Sequence, residues 1–144
     1  EGYRVPVVEF MDPMIGPLDE GSVVRYENSA SPGQLGNFTV AGHRQSHGAA
    51  FLRVDELAVG DAIIFETADA WYVFSVSEWS IVRPTDTDVI AQNPFDPTAA
   101  PTERLFTLTT CHPLFSTRER YIVHATFDYW APRSAGVPSE TLEG

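Results

Sequence analysis

The chain has no lysine; all nine of its basic residues are arginine. That excludes Schiff-base chemistry, which needs an amine of adjustable pKa, and any isopeptide bond in which this chain donates the amine. It has a single cysteine, Cys111, so it holds no internal disulfide, and cysteine pairing says nothing about compartment. Cations are scarce: the net charge is −11 and the pI is near 4.5. Nucleic acid is thereby excluded as a partner, because phosphate neutralisation needs a basic face, and anionic lipid headgroups would repel the domain. No apolar run is long enough for a signal peptide or a membrane span, although the first residue is Glu1 rather than methionine. Internal repeats and low-complexity tracts are also missing.

What is present is a chain of 144 residues, 43% apolar and 12% aromatic. That suits one folded domain with a real core and rules out wholesale disorder. The pattern predicts a mainly β fold, a sandwich or a closed barrel. Strands are expected at Val5 to Phe10, Val23 to Tyr26, Asn37 to Ala41, Ala62 to Thr67, Trp71 to Val82, Leu105 to Thr110 and Tyr121 to Phe127. Turns fall at Asp12-Pro13, Gly16-Pro17, Ser31-Pro32-Gly33 and Gly60-Asp61. Phe51, Val54 and Leu57 recur every three residues and predict one short packing helix over Ala49 to Leu57. The Pro-, Asp- and Thr-rich stretch Pro84 to Glu103 is too long to be an idle connection, and Thr85 to Ile90 within it predicts a single helical turn. We expect one domain over residues 1–130, with a leading segment 1–21, and an irregular extension over residues 131–144.

The chemistry centres on Cys111, which closes the run Thr107-Leu108-Thr109-Thr110-Cys111. A lone buried cysteine is often only a small hydrophobe. Here His112-Pro113 stops the ladder, since proline has no N–H to donate, and so brings the sulfur to a strand's end. A thiol becomes a useful nucleophile beside a cation or a base. Arg120 follows nine positions later, and His43 ends the strand-like Asn37-Phe38-Thr39-Val40-Ala41-Gly42. His47 lies in a polar loop four residues on, and the two could form a metal pair only with two further ligands. No second cysteine or carboxylate cluster completes such a set, so we expect neither metal nor cofactor. His124 reads as an ordinary strand histidine, and His112 as a loop residue beside the site.

These residues resemble the sortases, the cysteine transpeptidases of the Gram-positive cell envelope. The family's T-L-x-T-C signature is matched by Thr107-Leu108-Thr109-Thr110-Cys111, its strand-end histidine by His43, and its strand-opening arginine by Arg120 before Tyr121-Ile122-Val123. Val82-Arg83-Pro84-Thr85-Asp86 is similar to the start of the family's substrate loop. Ala41-Gly42-His43-Arg44, His47-Gly48 and Cys111-His112-Pro113 look most like the class E sortases of actinobacteria. Tyr26 and Pro32-Gly33 resemble a class E stretch in which a tyrosine is linked to reading alanine in place of proline in the sorting signal.

The resemblance implies a closed eight-stranded β-barrel with one or two short helices, and with Cys111, His43 and Arg120 gathered at one end. It implies a substrate pocket lined by Ala41, Val89, Ile90 and Thr109, and no calcium requirement, since Gln34-Leu35-Gly36 and Ala91-Gln92-Asn93 stand in the acidic regions that some sortases use. Thr110 either supplies a hydroxyl or N–H to the oxyanion or simply fills its strand position. Arg118 is read as a loop residue at the substrate rim. The implied reaction cleaves an LPxTG- or LAxTG-like peptide between Thr and Gly and passes the acyl group to a peptidoglycan precursor amine. The implied place is the extracytoplasmic face of the cell membrane, for a monomeric catalytic portion whose anchor lies outside this stretch. A pilin-polymerising sortase and a non-catalytic envelope-binding barrel with an incidental thiol are the competing readings. A papain-like hydrolase fits poorly, because there the cysteine precedes the histidine.

Overall fold

Asn37-Phe38-Thr39-Val40-Ala41 alternates polar and apolar residues, and in the computed structural model of the protein every residue of this strand is buried. The structure describes residues 7–8, 23–26, 29–42, 54–66, 69–112 and 118–136. Among these, the strands are β1 (Val7–Val8), β2 (Val23–Arg25), β3 (Gly36–Ala41), β4 (Ala62–Glu66), β5 (Ala70–Val82), β6 (Arg104–His112) and β7 (Glu119–Pro132). All seven expected strand positions are therefore occupied. Residues 49–53 of the expected helix lie outside the described residues, and Val54–Glu56 forms a 3₁₀ turn that buries Val54.

The strands form one sheet in the order β1-β2-β3-β6-β7-β5-β4. β3 and β6 pair in parallel, while β6 pairs antiparallel with β7 and β7 with β5. A parallel pair requires a long crossover, and here it contains the β4–β5 hairpin and the whole 83–103 connection. The expected mainly β class is observed; among the described residues the ladder has seven strands and ends at β1 and β4, without the closing pair of the expected eight-stranded barrel. Curvature brings the sheet's distant parts together through side chains: Phe38 on β3 meets Phe65 on β4 edge-on at 4.8 Å between ring centroids. Right-handed strand twist, sharpened by irregularities in the β5–β7 register at Val73/Phe74 and Val76/Glu78, supplies that curvature.

Inside the curl lies the apolar core, with Phe38, Val40, Phe74, Val76, Phe106, Leu108, Val123 and Ala125 all buried. These are alternate residues of β3, β5, β6 and β7, as the period of two requires. The other alternate set, Asn37, Thr39, Thr107, Thr109 and His124, is polar yet equally buried. Its cover is the 83–103 connection, so β6 is enclosed on both faces and reads in sequence as a continuous run. β7 extends beyond expectation, through Ala131 and Pro132, and a 3₁₀ turn follows at Arg133–Ala135. His112 is the last residue of β6, opposite Glu119, rather than a loop residue.

Phe74 has no exposed surface and packs against Phe106 at 5.4 Å and Phe127 at 5.5 Å between ring centroids. Phe74→Ala is expected to lower unfolding stability by about 3–5 kcal/mol, read as a shift in the urea midpoint at unchanged slope.

Candidate active site

The β6–β7 hairpin places Cys111 directly opposite Arg120, with Thr110 facing Tyr121 and Thr109 facing Ile122. Directly opposed residues of an antiparallel pair have Cβ atoms about 4.5–5.5 Å apart. The arginine is therefore held beside the cysteine's strand position by backbone pairing alone. Cys111 is the penultimate residue of β6, at the strand end foreseen for it. Arg120 is half-buried, its guanidinium donating to the Glu119 carbonyl at 3.1 Å. Arg118 is exposed and precedes β7.

His43 and His47 lie outside the described residues. The chain leading to His43 is nonetheless well held: Gly42 N–H donates to the Thr109 carbonyl at 3.2 Å, and the Thr110 hydroxyl donates to the Gly42 carbonyl at 2.7 Å. Thr110 lies on the opposite face from Thr109, and its hydroxyl is engaged with the backbone. Its service is to tie the end of β3 to β6.

A groove of about 70 Å³ opens beside these strands, and Tyr26, Val89, Ile90, Thr109 and Arg120 all line it. Five of the residues singled out from sequence thus come together in one place. Ala41, the partner of Thr109 in the β3–β6 register, is buried next to it. The groove also has Ile122 in its floor and Val82, Arg83, Pro84, Asp86 and Thr87 in its rim. The rim is shaped by a turn: Asp86 accepts from the Arg83 backbone N–H at 2.9 Å and from its guanidinium at 3.3 Å. Those two donors hold the Asp86 carboxyl below its usual pKa. The expected helical turn is present as a 3₁₀ turn over Thr87–Ile90. Tyr26 hydroxyl and Thr109 Oγ1 are 3.1 Å apart and share a hydrogen bond across the groove.

Three residues that the sequence placed only as strand positions also meet. Asn37, Thr107 and His124 form a hydrogen-bonded row on the loop-covered face, with Thr107 Oγ1 2.8 Å from Asn37 Oδ1 and 2.7 Å from His124 Nδ1. Burial pushes the His124 imidazole down to about 4, because the cation would lose its hydration.

Cys111 and Arg120 thus stand opposite one another at the end of β6, beside a small groove walled by the long connection. The description "Sortase domain" matches residues 2–128 of the chain. It is 35% identical over 127 residues to Sortase SrtE1 of Streptomyces coelicolor, covering 84% of this chain and 36% of that protein. It is similar in structure to the SrtA sortase from Actinomyces oris, with a TM-score of 0.86, 43% identity, and coverage of 94% of this chain and 77% of the other. The solved Sortase E1 from S. coelicolor with a tripeptide in its active site gives a TM-score of 0.84 at 33% identity, covering 95% and 88%. The chain belongs to the sortase family. Within that family it is most like the class E sortases of actinobacteria. It spans about a third of the length of the curated relatives it matches. Among the described residues, no helix is long and apolar enough to cross a membrane.

The His124 pKa of about 4 carries a pH dependence. A neutral folded-state histidine and an unfolded one that takes up a proton near pH 6.5 mean that stability falls as pH drops through 6.5 and levels off below 4. The loss attributable to this group is roughly 3 kcal/mol. His124→Gln, which cannot titrate, is expected to reduce the stability difference between pH 7 and pH 4 by that amount in urea titrations at the two pH values.

Proposed function

We propose that this chain is the catalytic domain of a class E-like sortase that cleaves an LPxTG- or LAxTG-like sorting signal between threonine and glycine. The observation that carries the reading is the cross-strand pair Cys111–Arg120 beside a groove lined by Tyr26, Val89 and Ile90. In this reading the Cys111 sulfur attacks the threonine carbonyl carbon, and the carbonyl oxygen takes on negative charge. The Arg120 guanidinium meets that charge with its N–H donors. His43 gives a proton to the departing glycine amine, leaving a thioester on Cys111. An incoming amine then loses a proton to His43 and displaces the sulfur as thiolate, so the starting pair of thiolate and protonated His43 is regenerated.

The acceptor proposed is an amine of the peptidoglycan precursor, and the clients are surface proteins bearing the sorting signal. The setting proposed is the extracytoplasmic face of the cell membrane, with the domain acting as a monomer. In this reading the Tyr26–Thr109 hydrogen bond, which holds the phenol in the groove lining, supports alanine rather than proline at the second signal position. Val89 and Ile90 offer the apolar surface that the leading leucine needs.

Incubation with paired LPxTG and LAxTG peptides, with and without triglycine, tests the reading by mass spectrometry. Thioacyl enzyme and amine-dependent product, both lost in Cys111→Ala, are the expected result; the absence of an adduct with either peptide overturns it. Arg120→Ala is expected to cut turnover about a hundredfold or more while the far-ultraviolet dichroism stays unchanged. Tyr26→Phe is expected to lower the ratio of kcat/KM for LAxTG over LPxTG; an unchanged ratio would remove Tyr26 from the specificity argument.

A further inference from the structure

The wall of the groove does not rest on the sheet by apolar contact alone. Asn37, on β3, has no exposed surface, and its side-chain amide donates to two carbonyls of the long connection: Val89 O at 3.2 Å and Ala91 O at 3.0 Å. Those carbonyls flank Ile90, the groove-lining residue at the end of the 3₁₀ turn. The Asn37 backbone N–H donates to Gln92 Oε1 at 3.3 Å. Gln92 reaches that position because Gly36, at φ +119°, has no side chain; an added Cβ would meet the same oxygen.

The direction of every proton in this row is determined. Both Asn37 amide hydrogens are spent on carbonyls, so Oδ1 can only accept, and Thr107 must be the donor to it at 2.8 Å. Thr107 Oγ1, having given its only hydrogen, must accept from His124 Nδ1 at 2.7 Å. Neutral His124 is thereby held as the Nδ1–H tautomer, and the ring of Phe95, from the same connection, packs edge-on against it at 5.1 Å between centroids. The row crosses β3, β6 and β7 and meets the 83–103 connection at both ends. Thr107 lies four residues before Cys111 on β6, and His124 four residues after Arg120 on β7, about 13 Å along each strand.

We propose that Asn37, Thr107 and His124 are positioning residues that set the groove wall at Val89 and Ile90 relative to the strands carrying Cys111 and Arg120. The proposal rests on the transpeptidase reading for its kinetic consequence, but not for its structural one. Thr107 is the joint of the row, since removing its hydroxyl leaves both Asn37 Oδ1 and His124 Nδ1–H without a partner and frees the amide to turn away from the two carbonyls. Groove shape then relaxes while the cysteine and arginine keep their register, so binding should suffer more than turnover.

The test compares Thr107→Val, which keeps the β-branched shape, with Thr107→Ser, which keeps the hydroxyl. For an LAxTG peptide with triglycine, Thr107→Val should raise KM about tenfold, the size of one net hydrogen bond, with kcat within about twofold. Thr107→Ser should match the unaltered protein. Hydrogen–deuterium exchange at residues 84–92 should lose protection in Thr107→Val only. An equal effect in both variants, a fall in kcat at constant KM, or unchanged exchange at residues 84–92 overturns the proposal. If Thr107→Val does not fold, Asn37→Ser, too short to reach both carbonyls, should show the same exchange and KM changes. If the unaltered protein fails to turn over either peptide, the transpeptidase reading has failed, and the exchange measurement still decides the positioning role.

Discussion

β6 is enclosed on both faces, and the placement of its neighbours follows from that. One face supplies Phe106 and Leu108 to the apolar core, and the other presents Thr107 and Thr109 beneath the long connection. A strand so enclosed must pair on both edges, because its N–H and C=O groups have no water to turn to. β3 and β7 provide those edges. Everything chemical in the molecule is then measured from β6: the opposed arginine on β7, the chain leading to His43 from β3, and the groove wall above.

The polar face explains why a mainly apolar strategy was not used throughout. Covering the sheet with a connection that has only a four-residue 3₁₀ turn buries backbone carbonyls that no regular structure satisfies. Each such group left unpaired costs about 1–3 kcal/mol, so donors must rise from the sheet to meet them. Asn37 is the one that does so for Val89 and Ala91. Thr107 in turn donates to Asn37 Oδ1 and accepts from His124, and the phenol of Tyr26 finds Thr109. A sheet face that must anchor an irregular loop is therefore polar, and in this sortase domain the anchored loop is also the groove wall.

Legibility in the sequence followed the range of the interaction. The strands were readable because alternation and turn residues act over a few positions, and so was the strand-end place of Cys111; that Arg120 stands directly opposite it came from the β6–β7 register. Val89 and Ile90 were readable as groove residues because their helical turn is local. Closure of the barrel was not, since it depends on how far twist and two register irregularities bend the sheet. Nor was the fate of the Thr110 hydroxyl, which is settled by a carbonyl 68 residues away at Gly42. His112 read as loop because Pro113 ends the ladder, yet one more pair, with Glu119, forms before it does.

The β character and the strand-end place of the cysteine were already legible in the order of residues. These follow from composition and from contacts between near neighbours. Only the tertiary structure decided that Asn37 would meet carbonyls 52 and 54 residues downstream, that a strand histidine would be buried neutral, and that Tyr26 would cross the groove to Thr109. The physical reason is that such meetings arise from the curvature of the whole sheet and the path of a crossover, and no local pattern encodes where a distant loop will land.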